Sequence, residues 1–270
     1  MSAVRTVGAP VTREPGAATA VSSGMGHWLR SLRLMLWFDF ARAREWAAMM
    51  AVVQVLMGAG MAVMYGFFYP HVDRATALYI ATGTPTLALI PLGFVMMPAS
   101  VGEQRTQGTF DFIWSLPAPR SAQAASTFLL SSLLSLPGTV LALLVATWRY
   151  GIHLSVSPLI VPAVTLSALM AISVGFGMAL AIPNPMVTNL ISNALIFVVL
   201  LFSPIVFPPG NLPGWLFTVH QALPFYNMAV VIRAGLTTGL VTGLTHAFLV
   251  LGAWTVVGWA VTARVVGRRG

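Results

Sequence analysis

The histidines His27, His71, His153, His220 and His246 are the first candidates for chemistry, and nowhere do they form the His-Glu-x-x-His spacing that sets two ligands on one helical face. They fall at the expected ends of apolar runs or at different depths, so they assemble no metal site. Ala171-Ile-Ser173-Val-Gly175 approximates a nucleophile elbow but lacks its first glycine. It sits in an apolar run without a histidine partner, so Ser173 reads as a helix-packing residue. The 14 basic residues are all arginine. Without lysine the chain can build neither a Walker A phosphate loop nor a Schiff base. Without cysteine it has no disulfide and no thiolate metal site. None of the six acidic residues falls near the middle of an apolar run, which disfavours a proton relay. No catalytic, cofactor-binding or metal-ligating residue is therefore expected.

What remains is one polar concentration, Glu103-Gln-Arg-Thr-Gln-Gly-Thr-Phe-Asp-Phe-Ile-Trp-Ser-Leu-Pro-Ala-Pro-Arg120, with long apolar runs on both sides. Gly102 or Gly108 can break the helix that enters it. Thr109 can cap a new short helix, with Asp111 placed favourably near the positive end of its dipole. Phe110, Phe112, Ile113 and Trp114 supply an apolar side, and Ser115-Leu-Pro117 stops the helix. The expected product is a short amphipathic helix presenting charge at a membrane surface, where an ordinary loop helix would look much the same.

The elements that must position this stretch follow from composition. Of the 270 residues, 57% are hydrophobic and 7% charged, with mean hydropathy +0.85, against about 25% charged in a soluble domain. No soluble core absorbs so much apolar surface, so an all-α polytopic membrane protein is expected, with six transmembrane helices at roughly 20 residues per span. The spans are placed at about 46–69, 76–100, 122–147, 158–182, 187–207 and 244–266. Residues 1–24 are rich in Ala, Gly, Ser, Thr and Val with Pro10 and Pro15, and read as a disordered tail. They hold no compact apolar run, so no cleaved signal peptide is expected. Residues 27–45 mix Trp28, Trp37 and Phe40 with Arg30, Arg33 and Arg44, which suits a helix lying in the head-group region. Asp39 interrupts its apolar face. It marks a bend, a pair with Arg42, or a buried bridge to Arg105.

Gly58 and Ala62 could allow close packing of span 1. Pro85, Pro91 and Pro98 kink span 2, as a static bend or a moving part. The segment 208–242 is apolar but broken by Pro208, Pro209, Pro213 and Pro224. Its pieces 215–223 and 226–236 are too short to span, so they dip into the outer leaflet or re-enter the membrane. Gly235, Gly239 and Gly243 could pack helices or make flexible loop. With the N-terminus inside, all arginines but Arg74, Arg149 and Arg233 fall on the cytoplasmic side. Both termini and the polar stretch are then expected in the cytoplasm, and 208–242 outside. The basic excess faces anionic membrane lipids rather than nucleic acid.

Glu103, Gly108-Thr109, Asp111 and Ser115-Leu-Pro117 before Arg120 resemble the cytoplasmic loop of ABC-2-type transporter permeases, with Asp111 where Glu is commoner. Phe202-Ser-Pro-Ile-Val-Phe-Pro-Pro-Gly-Asn-Leu-Pro-Gly-Trp215, followed by Leu223-Pro224 and Ile232-Arg233, resembles that family's segment between spans 5 and 6, with Pro204 where a small residue is commoner. The resemblance covers about 27–266.

The resemblance implies that 103–120 is the coupling region docking on a separate ABC ATP-binding subunit, which carries the ATP and magnesium. Glu103, Arg105, Gly108, Thr109, Phe110, Asp111, Trp114 and Arg120 are its site residues. It implies an external gate at Pro213, Trp215, Pro224 and Arg233, and a second permease subunit, identical or related. The expected function is export of an amphipathic or lipophilic, drug-like substrate across the cytoplasmic membrane, by motion that tilts spans 1, 2 and 5. Export of a lipid-linked oligosaccharide or polysaccharide is the alternative. An intramembrane enzyme would need convergent polar residues in the spans, and no such set is visible.

Overall fold

Leucine, methionine, alanine and arginine fill 25–55 without a proline, and good helix formers in that density make one uninterrupted helix, α1, Met25–Val55. The computed structural model describes residues 24–68, 73–109, 112 and 119–267. Residues 1–23 of the expected tail, His71, Arg268 and Arg269 lie outside the described residues. The helix shows no break at the expected boundary between 45 and 46. The basic and aromatic stretch is the first half of the same rod that carries span 1. A π turn, Leu56–Gly60, leads into α2, Met61–Phe68. A Cβ on Gly58 would collide with the Ala142 Cβ and meet Thr84 O at 3.2 Å. Ala62 is fully buried, and Tyr150 donates its hydroxyl to Ala62 O at 2.6 Å. Small residues here do bring three helices into contact.

Span 2 is the centre of the molecule. It consists of α3, Arg74–Pro91, a π turn at Leu92–Met96, and α4, Met97–Thr106. Its most apolar window is 89% buried, against 17% for the span at Pro185–Phe202. Asp73 caps its start by accepting from the amides of Ala75 and Thr76. Pro85 has no amide to give to Ala81 O, and the Thr84 hydroxyl takes that carbonyl instead at 2.8 Å. The π turn after Pro91 brings Gly93 against the next layer. A Cβ on Gly93 would strike the Ala171 backbone, and one on Gly175 would strike Gly93 O. The helix continues to Thr106, six residues past its expected end at 100.

The other long helices are α5, Arg120–Tyr150, α6, Ile160–Ala181, α7, Pro185–Phe202, and α10, Leu244–Gly267. Asn184 caps α7 by accepting from the Met186 amide at 2.9 Å. Helix α7 stops at Phe202 rather than 207. Ser203 precedes Pro204 and is extended, as the clash with a following proline ring demands. Between α7 and α10 lie a 3-10 turn at Pro209–Asn211 and two short helices, α8, Gly214–Ala222, and α9, Pro224–Leu236. All described helices long and apolar enough to cross a membrane number six, and no strand occurs among the described residues. Leu133, Leu144, Phe197, Leu201, Leu249 and Val256 are exposed along them. That apolar surface suits hydrocarbon, as the all-α six-span reading requires. The main core joins α9 to α3 and α6 through Leu87, Phe94, Met170, Phe225, Met228 and Ile232. Phe94 and Phe225 stack tilted at 4.9 Å.

Candidate coupling and gate regions

The polar stretch begins on the last turns of span 2. Gly102 does not break that helix. It lies buried within α4, where a Cβ would meet Pro185 of α7 at 3.0 Å. Gly108 ends it, at φ +71°, the left-handed position that glycine occupies without cost, and its amide reaches Arg105 O at 3.3 Å. Glu103 is exposed and accepts from Gln107 Nε2 at 2.9 Å, while Thr106 donates its hydroxyl to Glu103 O. Thr109 donates back to Gln104 O at 3.3 Å. Arg105 reaches another element. Its Nη1 donates to Ile182 O at 3.0 Å and its Nη2 to Leu180 O at 3.3 Å. A cation at the C-terminal end of α6 meets the negative end of its dipole and fills two otherwise unmatched carbonyls. Phe110, Asp111, Trp114 and Ser115-Leu-Pro117 lie outside the described residues, as does the side chain of Arg120, the first residue of α5.

The start of α5 is held to α1. Trp28 Nε1 donates to Ser121 Oγ at 3.0 Å, and Ser126 Oγ donates to Asp39 Oδ2 at 2.7 Å. Asp39 therefore pairs with a serine, not with Arg105. Burial pushes its carboxyl above the usual range, against the opposing pull of the Ser126 hydrogen bond and the Arg42 charge.

At the opposite end the expected gate residues separate into two groups. Pro213 precedes α8 and is exposed, and Trp215 on α8 is 70% exposed. Pro224 and Arg233 are buried on α9. Arg233 Nε donates to Thr82 Oγ1 at 3.0 Å, its Nη2 donates to Ile205 O at 2.6 Å, and its guanidinium lies 4.2 Å over the Tyr79 ring. Arginine keeps its charge in such a site, so a cation is held here by neutral acceptors and an aromatic face. It ties α9 to the first third of span 2 and to the chain leaving span 5.

Sequence reading missed these partners. Thr82 and Tyr79 sit in an apolar run with no periodic signal. It also missed Asn227, which donates to Gln221 O and Leu223 O, and Trp254, whose Nε1 donates to Ala222 O. These side chains fix the turn between α8 and α9. Gly235 packs closely, since a Cβ would lie 2.7 Å from Ile160 Cα, while Gly239 and Gly243 are turn residues at positive φ.

Nothing among curated proteins matches the chain. A family model described as ABC-2 type transporter matches residues 30–237, from the first half of α1 to the end of α9. That interval holds the polar end of span 2 and the α8–α9 pair as well as five of the six spans, and the chain belongs to the ABC-2 type transporter family, as a multi-pass membrane component of an ABC transporter.

Proposed function

We propose that the chain is the permease subunit of an exporter driven by a separate ATP-binding subunit that docks on 103–120. Two permease subunits enclose the path, and both termini face the cytoplasm. The substrate is amphipathic or lipophilic and drug-like, and it leaves across the cytoplasmic membrane. Family members generally work with such an ATP-binding subunit, and a chain without lysine has no phosphate loop of its own.

The observation that carries this reading is the reach of span 2. Its 33 helical residues, Arg74–Thr106, extend about 50 Å at 1.5 Å per residue, against roughly 30 Å of hydrocarbon. The surplus leaves room for Glu103 to stand clear of the lipid. A push at Glu103 travels along one buried rod. Arg105 passes it to span 4, and Arg233 lies at the far end, where α9 closes the outer side. The π turn at Leu92–Met96 supplies a place where the rod can change pitch. In this reading span 4 joins spans 1, 2 and 5 in the motion.

Inside-out vesicles carrying the chain and its ATP-binding subunit test the substrate reading. ATP should drive uptake of lipophilic dyes, and Arg105→Gln should reduce that uptake several-fold with little loss of protein. ATP-driven movement of a lipid-linked glycan with no dye uptake would replace the drug-like reading with the glycan one.

A further inference from the structure

A cavity of about 540 Å³ opens inside a single subunit, at the same end as Glu103 and between α1, α4, α5, α6 and α10. Ligand pockets occupy about 300–1,000 Å³, so this is a ligand-sized space. All of its lining residues belong to this one chain. Part of its lining is apolar and aromatic, formed by Leu92, Met96, Phe128, Ile172, Phe176 and Trp259. Its polar lining includes Gln104, Ser121 and Gln123 with the two charged lining residues, Asp39 and Arg42.

The two charges carry the inference. Asp39 receives one hydrogen bond, from Ser126 Oγ, although a carboxylate has about four acceptor positions. Burying that charge is costly unless further donors reach it. Arg42, three residues on and exposed, offers a guanidinium fork that fits phosphate or carboxylate oxygens. Side chains at this helical spacing have their Cβ atoms about 5–6 Å apart. An acid and a base at that separation, lining the same cavity as the apolar residues, complement a head group with a cation and an anion a few bonds apart.

We propose that this cavity binds a zwitterionic amphiphile, its ammonium group on Asp39, its anionic group on Arg42 and its apolar body against Phe128, Phe176 and Trp259. A phosphoethanolamine lipid of the bilayer and a free zwitterionic amphiphile share this chemistry. The inference concerns binding alone and stands apart from the ATP-binding partner and the direction of transport.

The test uses the full chain in phosphatidylglycerol nanodiscs, titrated with lysophosphatidylethanolamine, lysophosphatidylglycerol or a long-chain alkylamine. Lysophosphatidylethanolamine should bind about tenfold more tightly than the other two, because only it engages both charges. Asp39→Asn and Arg42→Gln should each remove that preference. Ser126→Ala leaves the carboxylate in place and should keep it, which separates a ligand contact from a purely structural role. Phosphatidylethanolamine retained on protein purified from native membranes assigns the bilayer as the source. Its absence alongside lysophosphatidylethanolamine binding assigns a free amphiphile. Equal affinity for the three head groups, or a loss in Ser126→Ala as large as in Asp39→Asn, overturns the proposal and leaves the permease reading untouched.

Discussion

Arg105 and Arg233 sit near opposite ends of span 2, and each gives its guanidinium to backbone carbonyls of another element. They differ in burial. Arg105 is half-buried and lies at a helix C-terminus, among side chains that mostly bond within their own helix. Arg233 is 2% exposed and joins three parts of the chain. A contact built into the core holds shape, while one at a surface end can be pushed. The difference teaches which end of the rod is anchored in the core and which lies near the surface.

The largest expected effect follows from the anchored end. Arg233→Ala removes charge-assisted hydrogen bonds worth about 1.5–3 kcal/mol each and leaves Ile205 O buried without its donor. Thermal unfolding in detergent should show a loss of at least about 3 kcal/mol, with a smaller loss for Arg233→Lys, which keeps the charge but not the fork. A loss in Arg105→Gln as large as in Arg233→Ala would erase the contrast between the ends.

Next comes the crossing of the rod with span 4. A side chain on Gly175 points into the Gly93 carbonyl, and backbone cannot swing aside. Gly175→Val should cost about 1–3 kcal/mol from overpacking. Gly252, where a Cβ meets nothing within 4 Å, should accept Ala with no loss.

A smaller effect should appear at Asp39. Its folded carboxyl titrates above its unfolded value of 3.8, so the folded state binds the extra proton. Stability from this group is then highest below the unfolded value and falls as pH rises through the folded one. In ligand-free protein, Asp39→Asn should raise the melting temperature at neutral pH, and the gain should shrink under acid. The smallest effect belongs to Trp215→Ala, within about 0.5 kcal/mol, because that side chain is 70% exposed.

The same contrast explains what could be read from the sequence. The six spans were legible because hydrocarbon demands long apolar runs, and Gly108 was one of two marked helix ends because a left-handed residue favours glycine. The end of α7 at Phe202 was misplaced because the run stays apolar to Phe207, while Pro204 alone decides the backbone. Thr82 as a partner of Arg233 was invisible. The two are 151 positions apart, and only the packing of α9 against span 2 brings them together. Arg105 was singled out, but its acceptors are the carbonyls at Leu180 and Ile182, which no side-chain pattern reveals.

The chain has no cysteine, so single thiols can be placed at each end of the rod. Glu103→Cys and Trp215→Cys, each in membranes containing the ATP-binding subunit, can be treated with a short thiol-to-amine cross-linker. A cross-link to the ATP-binding subunit from position 103 and none from 215 is the predicted result. A cross-link from 215, or none from 103 while the complex stays intact, would contradict the assignment of the polar end as the docking site.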